Sequence, residues 1–195
     1  MLKTEKIDRA LIAGLLLAVL LTGAVSLIKD CRAVEGAVLR LHILANSDSA
    51  LDQEHKLLVR DAVLRETGEL FAGAGSRKDA IARARQALPA IEKTAEETLL
   101  AAGDYHSVTA SVVRMHFPAR TYGTRTLPPG MYDALRIEIG EAAGHNWWCV
   151  LFPPLCVGAA ADRVELRLID DLNARPDYKL AFAAAELFQR LFGQD

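Results

Sequence analysis

The chain begins with one long apolar run. Residues 10–28 (ALIAGLLLAVLLTGAVSLI) contain no charged side chain, and the run is about as long as a helix that crosses a bilayer. It also lacks a polar face apart from Thr22 and Ser26, whereas a core helix of a soluble protein has one. The pattern therefore predicts an export segment.

The residues that flank the run indicate its orientation. Lys3, Lys6 and Arg9 outnumber the acidic residues before it, and this favours a cytoplasmic N-terminus and an exported remainder. Two alternatives stay open. The segment is either a cleaved signal peptide, with Ala24 and Ser26 forming an A-x-A-like site, or an uncleaved membrane anchor.

Alternating apolar positions predict strands in the exported part. In residues 37–45 (AVLRLHILA), Leu39, Leu41 and Ile43 share one face, and Arg40 and His42 lie on the other. Similar patterns predict strands at 106–117 and 132–140. The apolar segment 147–152, which two prolines end, is predicted to be a buried strand that pairs with the strand at 132–140.

Helical spacing alternates with these strands. Ser49 and Asp52 form a capping-box pattern that opens a helix over 50–66. A second helical region covers 77–102, where Pro89 predicts a break or kink near Leu88, with a new helix starting there. The other segments are predicted as loops at 68–75 and 118–130, a turn at 141–144, a weakly patterned stretch at 157–176 and a helix at 180–192.

This order predicts an α+β fold. A mixed or antiparallel sheet of about four strands packs against three to four helices, preceded by the N-terminal hydrophobic export helix. The predicted organisation is a signal peptide or membrane anchor at 1–28, a stem at 29–36 and a single extracytoplasmic domain at 37–195.

Composition and motifs exclude several function classes. The 23 basic and 25 acidic residues give a net charge of −2, so no basic excess indicates nucleic acid binding. The sequence has no phosphate loop, dinucleotide fingerprint or zinc-binding histidine spacing. We therefore predict no cofactor, no metal, no small-molecule substrate and no catalytic residue.

Two cysteines bracket the segment VLFPPL. In an exported chain, a disulfide between Cys149 and Cys156 is the first hypothesis, and a pair of buried thiols is the alternative.

A segment rich in aromatic residues and proline is a candidate protein-binding surface. Trp147 and Trp148 are adjacent, so their side chains point to opposite faces of a strand. They form a binding anchor, if partly exposed, together with Phe152, Pro153, Pro154 and Leu155. A central strand covered on both faces is the alternative. Asn46 and Asp48 fit Asx hydrogen bonds in a turn.

Three segments carry a family resemblance. They are LRLHILANSDSALDQEHKLLVRDAV (39–63), FPARTYGTRTLPPGMYDALRIEIGE (117–141) and NWWCVLFPPLC (146–156). Together they resemble the stage II sporulation protein R family of endospore-forming bacteria. The resemblance covers roughly residues 30–156 and includes the hydrophobic segment.

The resemblance implies an exported signalling protein that is made in the forespore and acts between the forespore and mother-cell membranes. There it triggers a membrane-embedded aspartic protease, which processes the precursor of a mother-cell sigma factor. It is then an activator and not an enzyme. The expected binding surface combines Asn46 and Asp48, the 118–130 loop with Tyr122, and the segment from Trp147 to Leu155.

Two other functions remain open at this point. One is an exported hydrolase whose site is assembled from dispersed residues, with Asp48, His42 and Cys149 as candidates. The other is a structural envelope protein anchored by residues 10–28. A pocket that holds the three candidate side chains within hydrogen-bond reach would support the hydrolase.

Overall fold

The computed structural model describes the backbone of residues 2–155 and 164–183, and the side chains from residue 7 onwards within those ranges. The regular elements, in chain order, are α1 (Leu2–Ala37), β1 (Leu39–Leu44), α2 (Ala50–Ala72), α3 (Arg77–Ala101), β2 (Val108–Phe117), β3 (Arg120–Tyr122), β4 (Arg125–Leu127), β5 (Gly130–Ile139), β6 (Asn146–Phe152) and α4 (Val164–Ala174). The backbone is helical again over 176–183. Most of the predicted helix at 180–192 lies outside the described residues.

Four strands form the main sheet, in the order β2-β5-β1-β6. β1 runs parallel to β5 and antiparallel to β6, and β2 runs antiparallel to β5. The predicted α+β fold with a four-stranded mixed sheet is therefore confirmed. Within the described residues β6 lies at the end of this sheet, so it is not the central strand of the alternative hypothesis. It pairs with β1, so the predicted pairing with the strand at 132–140 is wrong.

Helices α2 and α3 cover one face of the sheet. The alternating residues Leu39, Leu41 and Ile43 of β1 pack there against buried residues of both helices, including Val63 and Ile91. Each helix begins at a serine N-cap, because the side chains of Ser49 and Ser76 accept hydrogen bonds from backbone N–H groups of the first turn. The predicted helix start after Ser49 is confirmed.

The other face is covered by the end of α1, by α4 and by the β3–β4 hairpin. Val34 of α1, Leu127 of β4 and Ile169 of α4 are buried in this second cluster. Residues on both faces of β1 are buried along its whole length. Consequently Arg40 and His42, which alternate with the apolar residues, are held inside the protein.

The predicted break near Leu88 is wrong, because α3 runs through Pro89 without interruption. Proline removes the hydrogen bond to the carbonyl four residues earlier, here that of Arg85. Both Pro89 and Arg85 are exposed, so water can satisfy that carbonyl. The buried residues Ala84 and Ile91 hold the turns on either side against the sheet.

Three boundaries also differ from prediction. α2 continues beyond residue 66 and contains Gly68, because Phe71 in its last turn is buried in the core. The predicted 118–130 loop contains the short strands β3 and β4, which pair only with each other among the described residues. The weakly patterned stretch at 157–176 contains α4, whose residues Leu166, Ile169 and Leu172 are buried at helical spacing.

Candidate functional site

Asn46 joins the end of β1 to the turn that follows β5. Its Oδ1 accepts a 3.0 Å hydrogen bond from the backbone N–H of Glu141, and its Nδ2 donates one of 3.0 Å to Asp52. The backbone carbonyl of Asn46 accepts a further hydrogen bond from Ala143. Its side chain therefore fixes two segments together, and this is a structural role.

Asp48 has a similar role on the surface. Its carboxylate accepts a 2.6 Å hydrogen bond from the backbone N–H of His145 and also pairs with the imidazole of that residue. The side-chain hydrogen bond from His145 holds the pKa of Asp48 below its ordinary value. The NSDS loop and the 141–145 turn thus form one hydrogen-bonded unit.

A second polar cluster surrounds Asp104, in the segment between α3 and β2. Its two carboxylate oxygens bond the imidazoles of His55, at 2.7 Å, and His106, at 2.6 Å. Burial acts to raise the pKa of Asp104, but hydrogen bonds from the two histidines hold it below its ordinary value. Asp52, Asp104 and His106 place potential ligand atoms within 4.8 Å of one another.

The potential metal ligands around Asp104 already form hydrogen bonds within the protein. Asp104 bonds both histidines, and Asp52 accepts hydrogen bonds from Asn46 and Ser47. These bonds connect α2, β2 and the NSDS loop, so the geometry favours a structural network over a ligand site.

Arg40 is enclosed by aromatic rings beneath α1 and the hairpin. Its side chain is fully buried, and its guanidinium carbon lies 4.1 Å from the ring centroid of Phe117 and 4.9 Å from that of Tyr132. Nη2 donates a 2.5 Å hydrogen bond to the hydroxyl of Tyr122, whereas Nε and Nη1 have no acceptor. Desolvation by burial lowers the pKa of Arg40, but a guanidinium stays charged in proteins.

His42 follows Arg40 on the same face of β1. Its ring is stacked on Trp148, and Nε2 shares a 2.5 Å hydrogen bond with Oδ1 of Asn146. Because that oxygen is an acceptor, Nε2 carries the proton, and Nδ1 is left without a partner. Desolvation lowers the pKa of His42 below its ordinary value, so the ring is neutral at neutral pH.

A groove lies between the hairpin and β6, and two of its lining residues, Tyr122 and Trp148, contact Arg40 and His42 respectively. We call it the β3–β6 cleft. It has a volume of about 340 Å³ and is lined by consecutive residues of two strands, namely Arg120, Thr121 and Tyr122, and Asn146, Trp147, Trp148 and Cys149. Three of the predicted partner-binding residues, Tyr122, Trp147 and Trp148, therefore meet in one cleft.

The two tryptophans point to opposite faces, as the alternation predicts. Trp147 packs against the helix side of the sheet, where the guanidinium of Arg60 lies 4.5 Å from its ring centroid. Trp148 packs against the other cluster, in contact with Phe117 and His42. Both side chains are half-buried and remain partly accessible.

The proline segment after β6 is less accessible than a binding anchor requires. Phe152, Pro153 and Pro154 are buried, and Leu155 is half-buried. Pro154 also borders a separate cleft of about 520 Å³ along α2. We therefore leave Phe152, Pro153 and Pro154 out of the surface considered below.

The three candidate residues of a dispersed hydrolase do not converge. Cys149 is opposite Leu41 in the strand register and faces the helices, while His42 faces the other side of the sheet. Asp48 bonds His145 on the NSDS loop. These three side chains are spread over separate surfaces, and this discards the alternative of a hydrolase site built from them.

The structure describes only one of the two cysteines in the predicted disulfide. Cys149 is buried, whereas Cys156 lies outside the described residues, so the Cys149–Cys156 disulfide stays a prediction. Cys31, on α1, is a free and half-buried cysteine.

The export segment continues into the domain as one helix. Ile7–Ala37 is long and apolar enough to cross a membrane, by length and composition, and its most apolar window is fully exposed. Residues 29–36, which we predicted to be a stem, belong to the same helix. Arg175 pairs with Asp30 and donates a 3.0 Å hydrogen bond to Ser26, so α1 is fixed to the segment after α4.

Arg40, Phe117, Tyr132 and Asn146 were not predicted as site residues. A signal was present for Arg40, since it is a charged residue within an otherwise apolar strand pattern. The rings that enclose it come from distant segments, and sequence spacing does not bring them together.

Comparison with known proteins identifies the family. The family model described as Stage II sporulation protein R matches residues 35–162, which include the sheet, α2, α3 and the β3–β6 cleft. Stage II sporulation protein R of Bacillus subtilis (strain 168) is 42% identical over 118 residues, which are 60% of this chain and 53% of that relative. The chain thus spans about half the length of the curated relative it matches. No solved structure matches it significantly. The chain belongs to the stage II sporulation protein R family.

Proposed function

We propose that this chain is an exported signalling protein that activates a membrane-embedded aspartic protease by direct contact. The protease then processes the precursor of a mother-cell sigma factor during sporulation. Membership of the family supports the sporulation role. The proposed step at the protease is the one that the family resemblance implies.

The observation that carries the proposal is the chemistry of the β3–β6 cleft. Aromatic residues and a cation line it, and these residue types are enriched at the energetic centres of protein interfaces. In the described part of the chain, the candidate catalytic residues Asp48, His42 and Cys149 lie apart. A cleft with binding groups and no assembled nucleophile and base favours recognition over catalysis.

We place the binding surface on Tyr122, Trp147 and Trp148, together with Arg120 at the rim of the cleft. Asn46 and Asp48 support this surface indirectly, because they hold the turn that precedes β6. No cofactor, nucleic acid or small-molecule substrate is needed for this role. To activate the protease, the surface must bind its active state more tightly than its inactive state.

The proposed location is the space between the forespore and mother-cell membranes. The apolar part of α1 would cross the forespore membrane, and the domain that begins at β1 would face the outside. Because Arg175 and the packed end of α1 hold the helix to the domain, we favour retention of the anchor over its cleavage.

The test is complementation of a sporulating strain that lacks this protein. Arg120→Glu reverses an exposed charge at the cleft, and Arg85→Glu makes the same change on the exposed side of α3. We expect Arg120→Glu to reduce processing of the sigma-factor precursor at least tenfold and Arg85→Glu to leave it unchanged. Immunoblots of the precursor, at matched levels of each variant, measure the outcome.

Full processing with Arg120→Glu would remove the cleft from the proposal. Processing that does not depend on the chain at all would reject the signalling role itself, and would favour an anchored structural protein of the envelope.

A further inference from the structure

Among the residues that the structure describes, no acidic side chain neutralises the buried guanidinium of Arg40. Its described polar contact is the hydrogen bond to the hydroxyl of Tyr122, a neutral group. Nε and Nη1 are buried and have no acceptor. A buried charge is ordinarily paired, so two unsatisfied donors on one guanidinium require an explanation.

The aromatic rings around Arg40 account for only part of its environment. Phe117, Tyr132 and Tyr122 lie within 5.6 Å of the guanidinium carbon and stabilise the cation through their faces. Ring faces do not satisfy N–H donors that lie in the guanidinium plane. The group is therefore held in a fixed orientation with donors available, which is the arrangement that binds a planar carboxylate.

Tyr122 separates these donors from the β3–β6 cleft. It lines the cleft and at the same time accepts the hydrogen bond from Arg40. It belongs to the three-residue strand β3, which among the described residues pairs only with β4 and not with the main sheet. Tyr122 is therefore the side chain that would have to shift for a ligand in the cleft to reach Arg40.

The residues that line the cleft favour an acidic ligand. Its seven residues include the cation Arg120 and the aromatic residues Tyr122, Trp147 and Trp148, and none of the seven is acidic. The acidic group that acts on His42 is Glu138, and Glu138 is paired with Arg136 at 2.9 Å. A negatively charged side chain that enters the cleft therefore meets positive charge and no repelling carboxylate of the lining.

We infer that Arg40 binds an aspartate or glutamate side chain of the partner protein, inserted through the β3–β6 cleft next to an aromatic or aliphatic residue. Consecutive residues of two strands line the cleft, so a continuous chain can lie along it and present a side chain. Once the hydroxyl of Tyr122 is displaced, the carboxylate would accept one hydrogen bond from Nη2 and a second from one of the two unsatisfied donors beside it. This inference rests on the proposed function, because it names the chemistry by which the partner is recognised.

The test uses the full-length chain in detergent micelles and three short peptides as probes. Acetyl-Phe-Glu-amide carries the side-chain carboxylate, acetyl-Phe-Gln-amide is its neutral counterpart, and acetyl-Gly-Phe carries only a terminal carboxylate. NMR signals of the Arg40 Nε–H and the Trp148 indole N–H report binding. We expect the Glu peptide to bind at least tenfold more tightly than the other two.

Two variants separate this role from a structural one. Tyr122→Phe removes the competing acceptor but keeps the ring, so it should strengthen binding of the Glu peptide several-fold. Arg40→Gln should abolish the preference for Glu over Gln, with near-ultraviolet circular dichroism as the check on folding. If Arg40→Gln does not fold, the result for Tyr122→Phe decides.

Equal binding of the Glu and Gln peptides, or weaker binding of the Glu peptide by Tyr122→Phe, would overturn the carboxylate site. Tighter binding of acetyl-Gly-Phe would assign the site to a chain terminus and would also overturn it. The proposed function is tested separately, since a wild-type chain that shows no preference for Glu can still support sigma-factor processing in cells.

Discussion

The imidazole of His42 lies parallel to the indole of Trp148, with ring centroids 4.0 Å apart and ring planes 4° apart. The two residues are direct partners in the register between β1 and β6. Phe117 makes an edge-to-face contact with the same indole, at a centroid distance of 4.6 Å. Protonation of the buried His42 would therefore act directly on Trp148, which lines the cleft.

This contact predicts that stability falls in mild acid. Burial lowers the pKa of His42 below its ordinary value of 6.5, so the unfolded chain takes up a proton at a higher pH than the folded chain. The stability that His42 contributes is present above pH 6.5 and is lost as the pH falls through the folded-state pKa. The limiting slope is about 1.4 kcal/mol per pH unit.

Urea unfolding of the wild type and of His42→Gln between pH 7.5 and about 5 measures this effect. The difference between their free energies of unfolding should shrink as the pH is lowered. If the difference between the two free energies of unfolding stays constant over the whole pH range, burial does not lower the pKa of His42.

Trp148→Ala should impair both the fold and signalling. It removes the ring that packs on His42 and Phe117, and loss of a half-buried tryptophan costs about 2–3 kcal/mol. We expect a folded but less stable chain that no longer supports precursor processing. Trp148→Phe keeps an aromatic ring and should retain most of the stability. Wild-type processing by a folded Trp148→Ala chain would exclude this ring from the interface.

Gly140→Ala should be more destabilising than Gly123→Ala. Both glycines have positive φ, 55° and 61°, so each substitution carries the backbone strain. At Gly140 the added Cβ would also lie 2.3 Å from Oδ1 of Asn46, whereas at Gly123 no atom lies within 4 Å. We expect losses of about 2–4 kcal/mol and about 1 kcal/mol respectively, measured by thermal unfolding. Equal losses would mean that Asn46 moves aside freely.

The predicted disulfide can be tested by counting thiols. If Cys149 pairs with Cys156, the oxidised and denatured chain should react with one equivalent of N-ethylmaleimide, at Cys31. Cys31→Ala should then leave none, and prior reduction should expose two thiols in that variant. Two reactive thiols in unreduced Cys31→Ala would establish the alternative of buried free cysteines.

The anchor is predicted to remain attached. Ser26, at the end of the A-x-A-like site, is part of α1 and bonds Arg175, and proteolysis requires such a segment to unfold locally. Membrane fractionation with N-terminal sequencing should recover the chain with its own N-terminus. Arg175→Ala should increase cleavage if this contact protects the site. Recovery of only a soluble form that begins near residue 27 would establish the signal peptide instead.

Local patterns predicted the elements that are long and periodic. The alternation of β1 and the capping serine before α2 are properties of neighbouring residues, and they appear in the structure as predicted. The break at Pro89 was wrong because periodicity does not reveal that this turn faces solvent. β3 and β4 have three residues each, too few for alternation to be recognised among prolines and glycines.

The site was predicted in part. Tyr122, Trp147 and Trp148 were candidates, and the structure brings them into one cleft. Arg40 was recognised only as a residue on the second face of a strand. That face is buried because α1, the hairpin and α4 all pack onto it, and such a layer follows from long-range topology that spacing does not encode.

The unbroken helix α1 has a mechanical consequence. From Ile28 to Ala37 it rises about 14 Å without a hinge, at about 1.5 Å per residue, and the domain is packed against its end. While the anchor is retained, the β3–β6 cleft keeps a fixed position relative to α1, so its height above the bilayer and its tilt vary little, although the whole chain can still turn about the bilayer normal. Much of the orientational entropy that a freely diffusing ligand loses on binding is then already lost before the partner is met.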